Sequence, residues 1–168
     1  MKGGNMLTKL YDRFVKALDI HFYKQELIER DGDTIIEDIQ PHRQLMSYNC
    51  GMACLLTVGC LLNKKDVDRL LSDENGVNYK VLVRYLKKNQ MGYLLKDAMS
   101  FDDVVKCVDN GFCIITTTNH SGGHWCVIYG YYENGVIVAG CSKMRYSWDE
   151  FSDKYQGCQE ENIIINSY

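Results

Sequence analysis

A cysteine becomes a useful nucleophile when its thiolate is favoured, and two devices do this most often: a helix N-terminus and a neighbouring imidazolium. The chain has eight cysteines and four histidines among 168 residues, so the first question is which of them stand where such devices exist. Asn49 is an N-cap residue type, and the apolar run over residues 52–62 behind it lacks proline and is too long for an ordinary strand. A buried helix beginning near Cys50 is therefore expected, with Cys50 in its first turn, facing unpaired backbone N–H groups. Gly51 beside it would let a substrate backbone approach. The competing reading is that Cys50 is one more core thiol, as Cys54 four residues on is taken to be, and spacing alone leaves both open.

Among the histidines, His124 follows Ser121-Gly122-Gly123 and opens a strongly apolar segment, which would stand its ring at a strand end beside a loop. His120 in the same loop is its rival, and His21 and His42 read as ordinary surface residues. A satisfied histidine at a strand end is the alternative for His124. A structural zinc site from Cys50, Cys54, His124 and Cys126 is a further possibility, since residues four apart on a helix and two apart on a strand can face one another. Cys54, Cys60, Cys107, Cys113 and Cys126 sit inside apolar periodic segments and read as reduced core thiols rather than as a disulfide framework.

The elements that must position this pair follow from periodicity and caps. Leu7, Leu10, Tyr11, Phe14 and Leu18 fall at helical spacing, and residues 26–37 alternate about Asp31-Gly32, which predicts a small hairpin. After the helix at Cys50, a short helix is expected over residues 66–71 and a longer one over 79–89 capped by Asn78. A short strand over residues 93–95 precedes a helix with a capping box at Ser100 and Asp103, ending before Asn110-Gly111. Residues 112–118, 125–132 and 136–139 are rich in Ile, Val, Thr and Tyr and read as strands, the last two joined by a turn at Glu133-Asn134-Gly135. A short helix over 148–155 and a strand over 163–165 close a mixed α+β chain.

Composition narrows the function. Apolar residues make up 46% of the chain and the length suits a single globular unit. The net charge of -3, with both signs interspersed, offers no footprint for nucleic acid or an anionic membrane. No apolar stretch reaches the roughly 20 residues that a membrane span needs, and residues 1–5 lack the apolar region of a signal peptide, so a cytoplasmic location is expected.

The segment Gln44-Leu45-Met46-Ser47-Tyr48-Asn49-Cys50-Gly51-Met52-Ala53-Cys54-Leu55 resembles the active-site segment of the bacteriocin-processing, double-glycine leader peptidases, a papain-like family. There a glutamine lies six residues before an acidic-Cys-Gly pattern; Gln44 keeps the spacing, and Asn49 stands where the family usually has Asp. His124-Trp125-Cys126-Val127-Ile128-Tyr129-Gly130-Tyr131, followed by Val136-Ile137-Val138-Ala139, is similar to the family's histidine motif, and Trp148-Asp149-Glu150-Phe151 resembles the helix that follows. The resemblance spans residues 44–157.

It implies a papain-like α+β fold, with a central helix that starts at the nucleophile and packs on an antiparallel sheet. Residues 44–168 would form the peptidase domain and residues 1–43 an N-terminal helix-and-hairpin extension. Cys50 would attack a peptide carbonyl, His124 would carry the proton, and the Gln44 amide with the Cys50 N–H would hold the oxyanion. The implied activity is that of a cysteine peptidase cutting after small residues such as Gly-Gly in a leader, with no cofactor and with a separate transporter or delivery protein as partner. A thiol acyltransferase or transamidase, and a weakened peptide-binding member of the same fold, are the alternatives. One departure stands out: the family has an Asp followed by Pro at the end of the next strand, where this chain has Gly140-Cys141. Ser142, Asp149 or a backbone carbonyl would then have to orient the imidazole.

Overall fold

A computed structural model of the chain describes residues 22–24, 29–44, 49–72, 76–118, 123–141, 143–155 and 162–166. The helix expected around Leu7 to Leu18, together with His21, His120 and Ser142, lies outside them.

The central helix α1 (Cys50–Thr57) begins at Cys50 and is buried on nearly every side, with Met52, Ala53, Cys54 and Leu55 at 1% exposure or less. Such an element has no solvent face to keep polar, which is why its sequence is a continuous apolar run rather than a stripe. Around it lie two amphipathic helices, α2 (Lys64–Leu71) and α3 (Tyr79–Lys88). Helix α2 starts two residues before the position expected from the sequence. Asn63 accepts from the Asp66 N–H while the Asp66 carboxylate accepts from the Asn63 N–H, a reciprocal cap that satisfies two otherwise orphaned donors. Asp66 also pairs with Lys88 at 2.6 Å, tying α2 to α3. In α3, Asn78 caps as expected, and Leu82, Tyr85 and Leu86 turn inward.

The sheet is antiparallel throughout, in the order β4 (Tyr93–Lys96), β9 (Asn162–Asn166), β5 (Phe112–Thr118), β6 (His124–Tyr132), β7 (Gly135–Ala139), β8 (Arg145–Ser147). Helix α4 (Phe101–Asp109), with its Ser100/Asp103 capping box, packs on β5 and β6, and α5 (Trp148–Tyr155) follows β8 directly. β7 is buried end to end and β5 and β6 along most of their length, as the apolar runs of Cys113 to Ile115, Cys126 to Tyr129 and Val136 to Val138 require.

The turn at Asp31-Gly32 forms, closed by Asp33 N–H donating to the Arg30 carbonyl at 3.0 Å, while residues 26–28 of the expected hairpin lie outside the described residues. Among the described residues, the strand after the turn, β2 (Thr34–Ile35), pairs with Gly130 and Tyr131 of β6 and not with residues 29–30 before it. Three local features explain this. Tyr129 is the extra residue of a bulge, and its carbonyl accepts from Ile36 N–H at 2.9 Å. At Gly130 a β-carbon would lie 2.7 Å from the Thr34 carbonyl oxygen, so only glycine admits β2 there. A buried ion pair between Asp33 and Arg145 holds the turn against β8.

Two further short strands carry no sequence signal of their own. β1 (Phe22–Lys24) pairs with β3 (His42–Gln44), and β3 lies along α1, with His42 N–H donating to the Thr57 hydroxyl at 3.0 Å. His42 is therefore half-buried in a strand rather than an ordinary surface residue.

Candidate active site

The N-terminus of α1 points its first turn at the start of β6. The Asn49 carbonyl accepts the first helical hydrogen bond, from Ala53 N–H at 3.2 Å, but its side chain makes no capping bond, contrary to its expected role as a cap. The first-turn N–H groups of Cys50, Gly51 and Met52 have no intrahelical partner and no cap from Asn49, and they leave the positive end of the helix dipole beside the Cys50 sulfur. Both polar atoms of the Asn49 amide are buried without a partner. Gln44 sits at the end of β3, half-buried beside α1, with its Oε1 likewise unpartnered.

Gly51 serves a purpose other than the one expected of it. A β-carbon at this position would lie 2.0 Å from Val77 Cγ2, so the missing side chain makes room for Val77 and not for a substrate backbone. Val77 is held there from the other side, because Trp125 Nε1 donates to its carbonyl at 2.7 Å. The residue next to His124 thus braces the segment that closes over the start of α1.

His124 opens β6, opposite Thr118 of β5, and the structure brings its imidazole to both Cys50 and Cys141. Its Nε2 lies 2.7 Å from the Gly140 carbonyl oxygen. A carbonyl can only accept, so Nε2 carries a proton and Nδ1 is the nitrogen whose protonation can change. Burial pulls the imidazolium down, but hydrogen bonds and charge interactions with Cys141 and Cys50 outweigh it and raise the His124 pKa to about 10. Where an acid was expected at the end of β7, a main-chain carbonyl accepts from the ring. Asp149, another candidate for that task, is exposed in the first turn of α5.

Cys141 is the residue that the sequence reading passed over. It is buried and lies within hydrogen-bonding reach of Cys126, His124 and Tyr146. Its thiol is held well below the ordinary range, first by the Cys126 hydrogen bond and then, against the opposing effect of burial, by the His124 cation and the Tyr146 hydroxyl. The signal available in the sequence was its place, directly after the strand end where an orienting acid was sought. Cys54, Cys60, Cys113 and Cys126 behave as core sulfurs. Burial pushes Cys54 well up and takes Cys60 and Cys113 to about 12, while the hydrogen bond to Cys141 and then burial keep Cys126 protonated. Among the described residues, all seven cysteines are free and no three His, Cys, Asp or Glu side chains are arranged to hold a metal ion. No helix among them is long and apolar enough to cross a membrane.

No family model and no curated protein matches the sequence. Solved structures do match. A Bacillus anthracis chain described as a C39-like peptidase superposes with a TM-score of 0.61 at 14% identity, over 80% of this chain and 98% of its own length. The peptidase domain of Streptococcus ComA, a bifunctional ABC transporter of a quorum-sensing pathway, superposes with a TM-score of 0.55 at 18% identity, over 75% of this chain and 96% of that domain. At these identities the likeness is one of fold, and it is nearly complete on the side of the relatives: the chain has the papain-like α+β fold of the C39 peptidase domains.

Proposed function

We propose that the protein is a cysteine peptidase that works through Cys50 and His124. The observation that carries this reading is the His124 ring, which meets Cys50 at the uncapped start of α1 while Nε2 is held at 2.7 Å by the Gly140 carbonyl. In the reaction, the Cys50 sulfur attacks the scissile carbonyl carbon, and the negative charge moves to the oxygen. The Cys50 N–H, which as a first-turn group has no intrahelical partner, and the Gln44 amide at the end of β3 stabilise that oxyanion. His124 gives its Nδ1 proton to the leaving amine, which departs with the C–N bond's electron pair and leaves a thioester. Water then attacks the thioester, His124 accepts its proton, and the acid leaves as Cys50 is regenerated.

The motif spacing around Gln44 and Cys50 supports a substrate cut after small residues such as Gly-Gly in a leader peptide, and the likeness to the ComA peptidase domain supports a transporter or delivery protein as partner. A cytoplasmic site of action fits such a substrate. Mass spectrometry of a leader-peptide mixture incubated with the protein or with its Cys50→Ala variant tests the reading. Cleavage after Gly-Gly that disappears with the variant is expected, and products that do not depend on Cys50 would overturn it.

A further inference from the structure

The end of β7 is built around one sulfur. Val127 pairs with Ala139, so the next step of the ladder sets Cys126 opposite Gly140, and an unbroken strand would send Cys141 to the other face. Gly140 breaks the alternation with a φ of +91°, a conformation that glycine adopts without penalty. The position its β-carbon would occupy is only 3.7 Å from Cys126 Cα, which shows how closely the turn passes over β6. Cys141 is thereby brought round to the side of Cys126 and His124. The turn is closed by Val138 N–H donating to the Met144 carbonyl at 2.8 Å.

The polar groups within reach of the Cys141 sulfur are the Cys126 thiol, the His124 ring and the Tyr146 hydroxyl, each of which can donate. Lys143 and Lys154 lie 5.0 Å and 4.5 Å from the centre of the Tyr146 ring, which makes its hydroxyl a better donor. The other titratable groups nearby are Cys50 and Cys54 of α1. A neutral thiol would have to give its proton to one of these groups, whereas a thiolate can accept from all three, with the stronger hydrogen bonds of a charged acceptor. We propose that Cys141, as a buried thiolate, is the positioning residue that supplies beside His124 the negative charge a carboxylate supplies elsewhere in this fold, while the Gly140 carbonyl fixes the ring's direction. The downward displacement of the Cys141 pKa and the upward displacement of His124 agree with this charge pair.

The proposal rests on Cys50 and His124 being the reactive pair, and its test separates the two ideas without needing a substrate. The His124 ring carbon signal is followed by NMR across about pH 5 to 11 in the full chain and in Cys141→Ala, Cys141→Ser and Cys141→Asp. His124 should titrate well above 6.5 in the unaltered protein, at least about one unit lower in the Ala and Ser variants, and close to the unaltered value in Asp. Serine fills the cysteine's space without ionising at these pH values, so a packing role would leave its titration unchanged. An unchanged His124 titration in both Ser and Ala overturns the role of Cys141 alone. Iodoacetamide labelling of Cys50 with peptide mapping, in the unaltered protein and in His124→Gln, tests the pair: equal Cys50 rates near about pH 6 to 7 overturn the pair and this inference together. If the Ala variant fails to fold, the contrast between Ser and Asp decides.

Discussion

Replacing Gly140 with alanine attacks the site at its most specific joint. A β-carbon there would meet only the Trp125 carbonyl oxygen at 3.5 Å and Cys126 atoms at 3.7 and 3.9 Å, all ordinary contacts, so crowding is not the problem. The cost lies in the backbone: at φ +91° a non-glycine residue stores about 1–3 kcal/mol. With roughly 2–4 °C lost per kcal/mol in a chain of this size, Tm should drop by about 4–8 °C for a cost near 2 kcal/mol. The chain can relieve part of this by rotating the 140–141 peptide, which carries the carbonyl away from His124 Nε2. A bond of 2.7 Å that opens beyond about 3.5 Å is lost, and a hydrogen bond to a charged group contributes about 1.5–3 kcal/mol. At 1.36 kcal/mol per pKa unit, His124 should then titrate about one to two units below its value of about 10. Thermal melts and the pH dependence of the His124 ring carbon signal by NMR read the two effects separately. Gly92→Ala is the control, because its β-carbon would meet nothing within 4 Å. A Gly140→Ala protein that matches this control in Tm, with His124 titrating unchanged, would refute the claim that a left-handed residue aims the carbonyl.

Gln44→Ala should lower kcat by about 10²–10³ with little change in KM if its amide serves the oxyanion, which steady-state kinetics on a leader peptide would show. Trp125→Phe removes the donor to the Val77 carbonyl and should cost about 1–2 kcal/mol in chemical denaturation. The raised pKa of His124 means that its stabilisation is complete below about 6.5 and is lost as pH rises through about 10, so melts between those values should show the unaltered protein converging on His124→Gln. Asp103 has the opposite sign: Lys96 first, then Ser100, hold its carboxyl below 3.8, so its contribution is present above that pH and fades as pH falls. Asp103→Asn keeps an oxygen that accepts from the Ser100 N–H but loses the charge facing Lys96, so it should cost at most about 1 kcal/mol at neutral pH and nothing measurable in acid.

The parts of this fold legible in the sequence are those where one local rule acts alone. The proline-free run behind Asn49 could only be a buried helix, the Asn78 and Ser100 caps marked their helices, and the β-branched runs of β5 to β7 left no other reading. What escaped was set by partners distant in sequence. Thr34 and Ile35 are too few to announce a strand, and their pairing was decided by a bulge and a glycine almost 100 residues later. Gly51 carried two meanings, substrate access or packing room, that only the position of Val77 separates. The candidate site divides in the same way. Cys50 and His124 had local signals, a helix start and a strand start, but a main-chain carbonyl has no residue type to be read from, and Cys141 looked like one more thiol until Gly140 turned it inward.

The order of strands also bears on how the protein is made. β9, the last strand of the chain to be described, is inserted between β4 and β5 and hydrogen-bonds to both. While the chain emerges from the ribosome, α1 and the β5–β6–β7 ladder can assemble, but β4 has no neighbour to lie against until residues 162–166 arrive some 66 positions later. During that interval β5 presents an open edge lined by Cys113, Ile114 and Ile115, the kind of surface that recruits other chains. A protein that stops short of Asn162 should thus aggregate even with every residue of its candidate site present.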